Sequence, residues 1–147
     1  NPQILEKLLD YKLDIAFITG EPNHKDLIVL NKFDDDLYLV ESNNKKSANC
    51  LIGYKKDSSH YKFLVEYFIQ NNNADFKTIF IENYEVMLGC VKAGMGMAYV
   101  SKNIIDKYNY TNELKLTKIP NEPLTHLICR KDFIPMIGDY LKKIKLL

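Results

Sequence analysis

Tryptophan is absent from the 147 residues, and histidine and cysteine are scarce and scattered. His24, His60 and His126 stand alone, without the close spacing that metal ligands need. Cys50, Cys90 and Cys129 are odd in number, far apart and never in a Cys-x-x-Cys pair. That argues against a disulfide framework, points to a reducing cytoplasm, and leaves no metal or other cofactor implied. No apolar run approaches the roughly 18 residues of a membrane span. A basic excess is missing too. Lys and Arg number 20 against 19 Asp and Glu, a net charge of +1, whereas a dedicated nucleic-acid module usually carries a surplus. The opening NPQILEKLLDYK has neither the basic start nor the apolar block of a signal peptide. It also lacks an initiator Met, so a processed protein or a piece of a longer one is expected.

What is present is an ordinary folded composition, 46% hydrophobic and 27% charged, over a length that suits one domain or two small lobes. Asn1-Pro2 reads as a cap and first helical residue, and Ile4, Leu5, Leu8 and Leu9 keep helical spacing to about Lys12. The run Ile15–Ile18, closed by Gly20, predicts a strand buried on both faces. LIVLNKF, DLYLVES and NCLIGY follow as strands. Ser58 or Ser59 can cap a helix with Phe63, Leu64, Tyr67 and Phe68 on its apolar side. FKTIFIE is a strand, Asn83 caps the helix NYEVMLGCVKA, MAYVS is a strand and KNIIDKY a short helix. ELKLTKI and THLICRK are strands, and IPMIGDYLKKIKLL closes as an amphipathic helix with a basic, solvent-facing side. The order α-β-β-β-β-α-β-α-β-α-β-β-α predicts an α/β fold with mainly parallel pairing. A first helix and buried strand with no strand ahead of them also predict a missing N-terminal partner.

Gly94-Met95-Gly96 invites a phosphate-loop reading, but dinucleotide folds run strand, glycine turn, helix. Here the order is helix, glycines, strand, so the glycines fall at a helix C-terminus. Gly94 is expected in the left-handed position that stops the helix, with Gly96 turning the chain into MAYVS.

The segment ENYEVMLGCVKAGMGMAYVSKNII resembles the helix–turn–strand signature of the effector-binding domain of LysR-type transcriptional regulators, matching at Val91, Ala93, Gly94 and Gly96. Ser101 stands where that family usually has Pro. LLDYKLDIAFITG resembles its early helix and strand, with Tyr11-Lys12 where a Gly is common. DLIVLNKFDDDLYLVES and LTHLICRKDF…IGDYLKKI resemble later elements in the correct order. The resemblance implies a periplasmic-binding-protein-like fold of the second type, two α/β lobes joined by two crossover strands. It implies lobe I at 1–41 with 125–147, lacking its opening elements, and lobe II at 42–124, with Ser42 a hinge at the first crossover. It also implies a small-molecule effector, DNA contact only through a winged helix-turn-helix outside this chain, and a homo-oligomer when that is attached.

Ligands of open α/β sheets bind beyond the carboxyl ends of strands, near helix N-termini. Three such points can be read: Thr19 with Gly20, the segment 54–59 with Ser58 and Ser59, and Glu82 with Asn83. The serines and Asn83 are equally explained as ordinary caps. Tyr61, Tyr67 and Tyr84 read as core or rim. Glu82 and Glu85 disfavour a strongly anionic effector, which leaves neutral, zwitterionic and cationic ones. Asp34–Asp36 read as a solvated turn rather than a metal site. Two other functions share the implied fold, a solute-binding protein of a transport system and an enzyme. No nucleophile–base spacing marks the second.

Overall fold

The computed structural model describes residues 2–132 and 138–145. In chain order the elements are α1 (Pro2–Leu9), β1 (Ile15–Thr19), β2 (Leu27–Phe33), β3 (Leu37–Ser42), β4 (Cys50–Gly53), α2 (Ser59–Gln70), β5 (Lys77–Phe80), α3 (Tyr84–Lys92), β6 (Ala98–Ser101), α4 (Lys102–Lys107), β7 (Leu114–Thr117), β8 (Thr125–Arg130) and α5 (Gly138–Leu141). They match the expected order. The closing helix is described only at Gly138–Leu141, with 142–145 non-helical; its residues 134–137 and 146–147 lie outside the described residues. The chain divides into two compact units, 1–35 with 123–147, and 36–122. The first division falls ahead of β3, which pairs with β6 and β7 and so belongs wholly to the second unit.

In the first unit β8 lies between β1 and β2, antiparallel to both, from Ile15↔Cys129 to Thr19↔Thr125 on one edge and Leu27↔Arg130 to Phe33↔Thr125 on the other. Side chains alternate across a strand, so Ile128 joins Leu8, Ala16, Ile18 and Leu27 on one face. Leu127 and Cys129 join Leu30, Phe33 and Leu141 on the other. Among the described residues β1 pairs on one edge only, and Phe17 is 45% exposed, leaning on the Phe33 ring at 5.9 Å. The apolar run at 15–18 is therefore not covered on both faces. Ala16 and Ile18 are buried on one face; on the other Ile15 packs half-buried against the second cluster while Phe17 is exposed, as an antiparallel strand permits.

The second unit holds the sheet β6-β3-β7, antiparallel throughout, and the parallel pair β4-β5. A single parallel bridge, Leu51↔Met97, links them, with Ile52 N–H donating to Met97 O at 2.8 Å and Met97 N–H to Cys50 O at 2.9 Å. One face carries Val40, Cys50, Ile52, Ala98 and Val100 against Met87, Leu88 and Val91 of α3. The other carries Leu37, Leu39, Leu51, Met97 and Tyr99 against Leu64 and Phe68 of α2. Pairing is thus mainly antiparallel, contrary to the sequence expectation. Parallel pairing is confined to β4-α2-β5-α3-β6, where helices supply the crossovers it needs; α4 also lies between β6 and β7, but both of those strands pair antiparallel with β3, which runs between them.

Both glycines of the 94–96 turn act as expected. Gly94 has φ +80°, its N–H donates to Val91 O, and Met95 N–H reaches back to Cys90 O, a Schellman ending. At Gly96 a Cβ would sit 2.6 Å from Cys50 O, so the close approach of β4 requires glycine. α1 ends with the same two bonds, Tyr11 N–H to Leu8 O and Lys12 N–H to Lys7 O, but with Tyr11 in the left-handed slot at φ +61°. Buried Arg130 lies beneath it, donating to Leu8 O at 2.6 Å and Leu13 O at 2.7 Å.

Candidate functional site

In the second unit, β4 and α2 meet at residues 53–59, and the β5–α3 connection lies beside them. Ser58, not Ser59, is the cap of α2: its φ and ψ are −60° and 130°, and its Oγ accepts from Tyr61 N–H at 3.5 Å, a long bond. Ser59 is the first helical residue. Asn83 caps α3, its Oδ1 accepting from Val86 N–H at 3.0 Å. Glu82 and Asn83 are exposed. The N–H groups of Ser59, His60, Tyr84 and Glu85 lie in first turns, where no helical carbonyl precedes them.

A small depression joins these elements, lined among others by Tyr54, Ser58, His60, Tyr61, Tyr84 and Tyr99. Its enclosed space is about 20 Å³, enough for one water-sized group. The Tyr54 and Tyr84 rings stack with centroids 4.7 Å apart and planes 23° from parallel. Tyr61 meets Phe80 edge-on at 5.0 Å, and His60 meets Tyr99 edge-on at 6.5 Å. Gly53 makes the first contact possible, since a Cβ there would meet the Tyr61 ring at 2.7 Å. Tyr99 donates its hydroxyl proton to Glu122 at 3.0 Å. Burial raises the Tyr84 phenol above its ordinary pKa, and nearby Tyr54 adds to the shift.

Of the expected residues in this unit, Ser58 lines the depression, while Ser59, Glu82 and Asn83 do not. Tyr54 opens the expected segment 54–59 and lines the depression too; the His60 and Tyr99 side chains were missed, and Tyr61 and Tyr84 were read as core or rim. Tyr54 was legible because it follows the last residue of a strand. Tyr99 was not, because its alternation within β6 is that of any core residue. Ser42 ends β3 inside this unit. Its Oγ donates to Lys92 O at 3.1 Å and accepts from Lys45 N–H at 3.1 Å, which ties the following loop to the end of α3.

In the first unit Thr19 ends β1 opposite Thr125, and Gly20, at φ +83°, donates its N–H to Leu124 O at 2.8 Å. Glu21 follows, 3.2 Å from Nε2 of buried His126 and 3.6 Å from Lys32 Nζ. The aspartates at 34–36 diverge. Asp35 accepts from Thr125 Oγ1 at 2.7 Å, and Asp36 pairs with Lys118 at 3.1 Å. Among the described residues no group of three or more His, Cys, Asp or Glu is placed to hold a metal, and no helix is long and apolar enough to cross a membrane.

The LysR substrate binding domain family matches residues 1–132. This chain belongs to that family. The LysR domain is 26% identical over 125 residues to the HTH-type transcriptional regulator SoxR of Arthrobacter sp. (strain TE1826), covering 81% of this chain and 43% of that protein. It resembles the regulatory domain of MetR, a LysR family regulator from N. meningitidis, with a TM-score of 0.71 and 11% identity, over 95% of this chain and 71% of that one. It resembles the effector-binding domain of QuiR, solved with shikimate, with a TM-score of 0.60 and 19% identity, over 96% and 73%. The fold is therefore the periplasmic-binding-protein-like one of LysR regulatory domains. The LysR domain spans about half the length of the curated relatives it matches.

Proposed function

We propose that this chain is the effector-sensing part of a LysR-family transcriptional regulator, and that its two compact units are the lobes of that sensor. One observation carries the reading. The family match over 1–132 coincides with a strand-end depression at Tyr54, Ser58 and Tyr84, in the position where open α/β sheets take ligands. Thr19 and Gly20 are the corresponding strand end of the first unit. A bound effector would favour one arrangement of the sensor over another by its difference in affinity for the two. DNA contact and homo-oligomer assembly belong to the complete regulator, in the cytoplasm. No reaction is assigned, since the curated relatives are regulators.

A thermal-shift screen of small metabolites tests this. A ligand at 100 times its Kd adds about 2.7 kcal/mol of stability. At this size that raises Tm by about 5–10 °C. Ser58→Ala and Tyr84→Leu should each shrink the shift. A library that moves the melt of the full-length regulator but never that of this chain would place the site elsewhere and refute the proposal.

A further inference from the structure

The chain passes between its two compact units twice, at 35–36 and at 122–123. Side chains pin both passages. Asp35, on the first unit's side, accepts from Thr125 Oγ1 at 2.7 Å, a bond within that unit. Asp36 and Glu122 are the two ends of the second unit, and they share one cation. Lys118 Nζ lies 3.1 Å from Asp36 Oδ1, 3.0 Å from Glu122 Oε1 and 4.8 Å from the centroid of the Tyr38 ring. The other oxygen of Glu122, Oε2, accepts from the Tyr99 hydroxyl at 3.0 Å. Asp36 is also held through its backbone, since Lys102 N–H donates to its carbonyl at 2.8 Å.

An isolated, exposed ion pair contributes little. This arrangement differs in two respects. The Glu122 side chain is only 12% exposed, so Lys118 answers a carboxylate largely withdrawn from water, where a charged hydrogen bond is strongest. One ammonium also serves two carboxylates, which makes a network rather than a pair. Those two carboxylates sit at the two points where the chain leaves the unit.

We propose that Lys118 is a clamp that ties the two passages into one hinge, so that they loosen and tighten together, and that Tyr99 joins this clamp to the depression. The chain of groups lies wholly within the second unit. It runs from Tyr99, in the wall of the depression, through Glu122 and Lys118 to Asp36. A ligand that draws the Tyr99 hydroxyl away from Glu122 would slacken the clamp. That last step rests on the effector-sensor reading above; the clamp itself does not.

Hydrogen exchange read by mass spectrometry tests the clamp without any ligand. Lys118→Met keeps the stem over Tyr38 and removes the charge. It should speed exchange in segments 34–38 and 119–124 together, by about two- to fivefold, and leave segment 86–92 of α3 unchanged. Lys118→Arg, which can bridge two carboxylates, should exchange like the native chain. Salt at about 1 M should speed the same two segments in the native chain and add nothing in Lys118→Met. Tyr99→Phe keeps the ring, loses the donor, and should speed both segments by less than Lys118→Met does. A Lys118→Met effect that is absent, confined to one passage, or equally large in α3 would overturn the clamp. If Lys118→Met behaves as expected and Tyr99→Phe changes neither segment, the link to the depression is overturned. No ligand enters these measurements, so failure here leaves the effector-sensor reading to its own melts.

Discussion

Replacing Tyr11 by alanine and by glycine should have unequal consequences, although both remove the same ring. Tyr11 closes α1 at φ +61°, the conformation that Gly94 takes at the end of α3. A left-handed backbone costs an L-residue about 1–2 kcal/mol. Tyr11 offsets that through its side chain. The Arg130 guanidinium lies 4.1 Å from the ring centroid, and the hydroxyl donates to Asp132. An exposed cation–π contact contributes about 0.5–1 kcal/mol, and a hydrogen bond about 0.5–1.5. Cost and compensation therefore nearly cancel. Tyr11→Ala loses the contacts and keeps the strained backbone, so it should destabilise by about 1–2.5 kcal/mol. Tyr11→Gly loses both and should be nearly neutral. The gap between the two variants is the backbone cost alone, about 2–8 °C in Tm for a domain of this size. Arg130 stays anchored to Leu8 O and Leu13 O in both, so the comparison is not confounded by its release. Calorimetric melts of the two variants decide the matter. If they melt together, or if glycine melts below alanine, the left-handed ending of α1 is not strained and the argument fails.

Three further outcomes are expected. Gly96→Ala should destabilise by about 1–3 kcal/mol in a urea titration, because its Cβ would press on the Cys50 carbonyl. Asn83→Ala should cost about 1 kcal/mol through loss of the α3 cap, read as a lower urea midpoint at unchanged slope. Above pH 10 stability should fall. Tyr11, bonded to Asp132, and Tyr84, desolvated, both hold their protons more tightly folded than unfolded. Their contribution is complete below the unfolded value near 10 and disappears as pH rises through the folded values. Tyr11→Phe should make that alkaline decline shallower.

Element types and order were legible because the signals are local. Helical spacing at Leu5 and Leu8, the caps Ser58 and Asn83, and the Gly94 ending each act within a few residues. Strand partners were not legible. The run Ile15–Ile18 gives no hint that β8, more than a hundred residues later, will lie antiparallel beside it. Nor does it show that Phe17 will face outward. The candidate site divides in the same way. Ser58 was found because a helix start is a local event. Tyr54, His60 and Tyr99 come together only when β4, α2 and β6 pack, and no spacing announces that. The sequence did flag Tyr11 as standing where its family commonly has Gly, and there the backbone is left-handed.

The bridge at Leu51↔Met97 is a seam. Two backbone bonds stitch β4 to the start of β6, a third runs beside them from Ala48 N–H to Gly94 O, and side-chain packing adds to them across that line. Tyr54 stands just past one side of the stitch, and Tyr84, stacked on it, begins the helix that leads to the other. A molecule held against both rings would act as a clasp over that narrow join. Occupancy would then be felt as stiffness along β4 and β6, well beyond the few atoms touched.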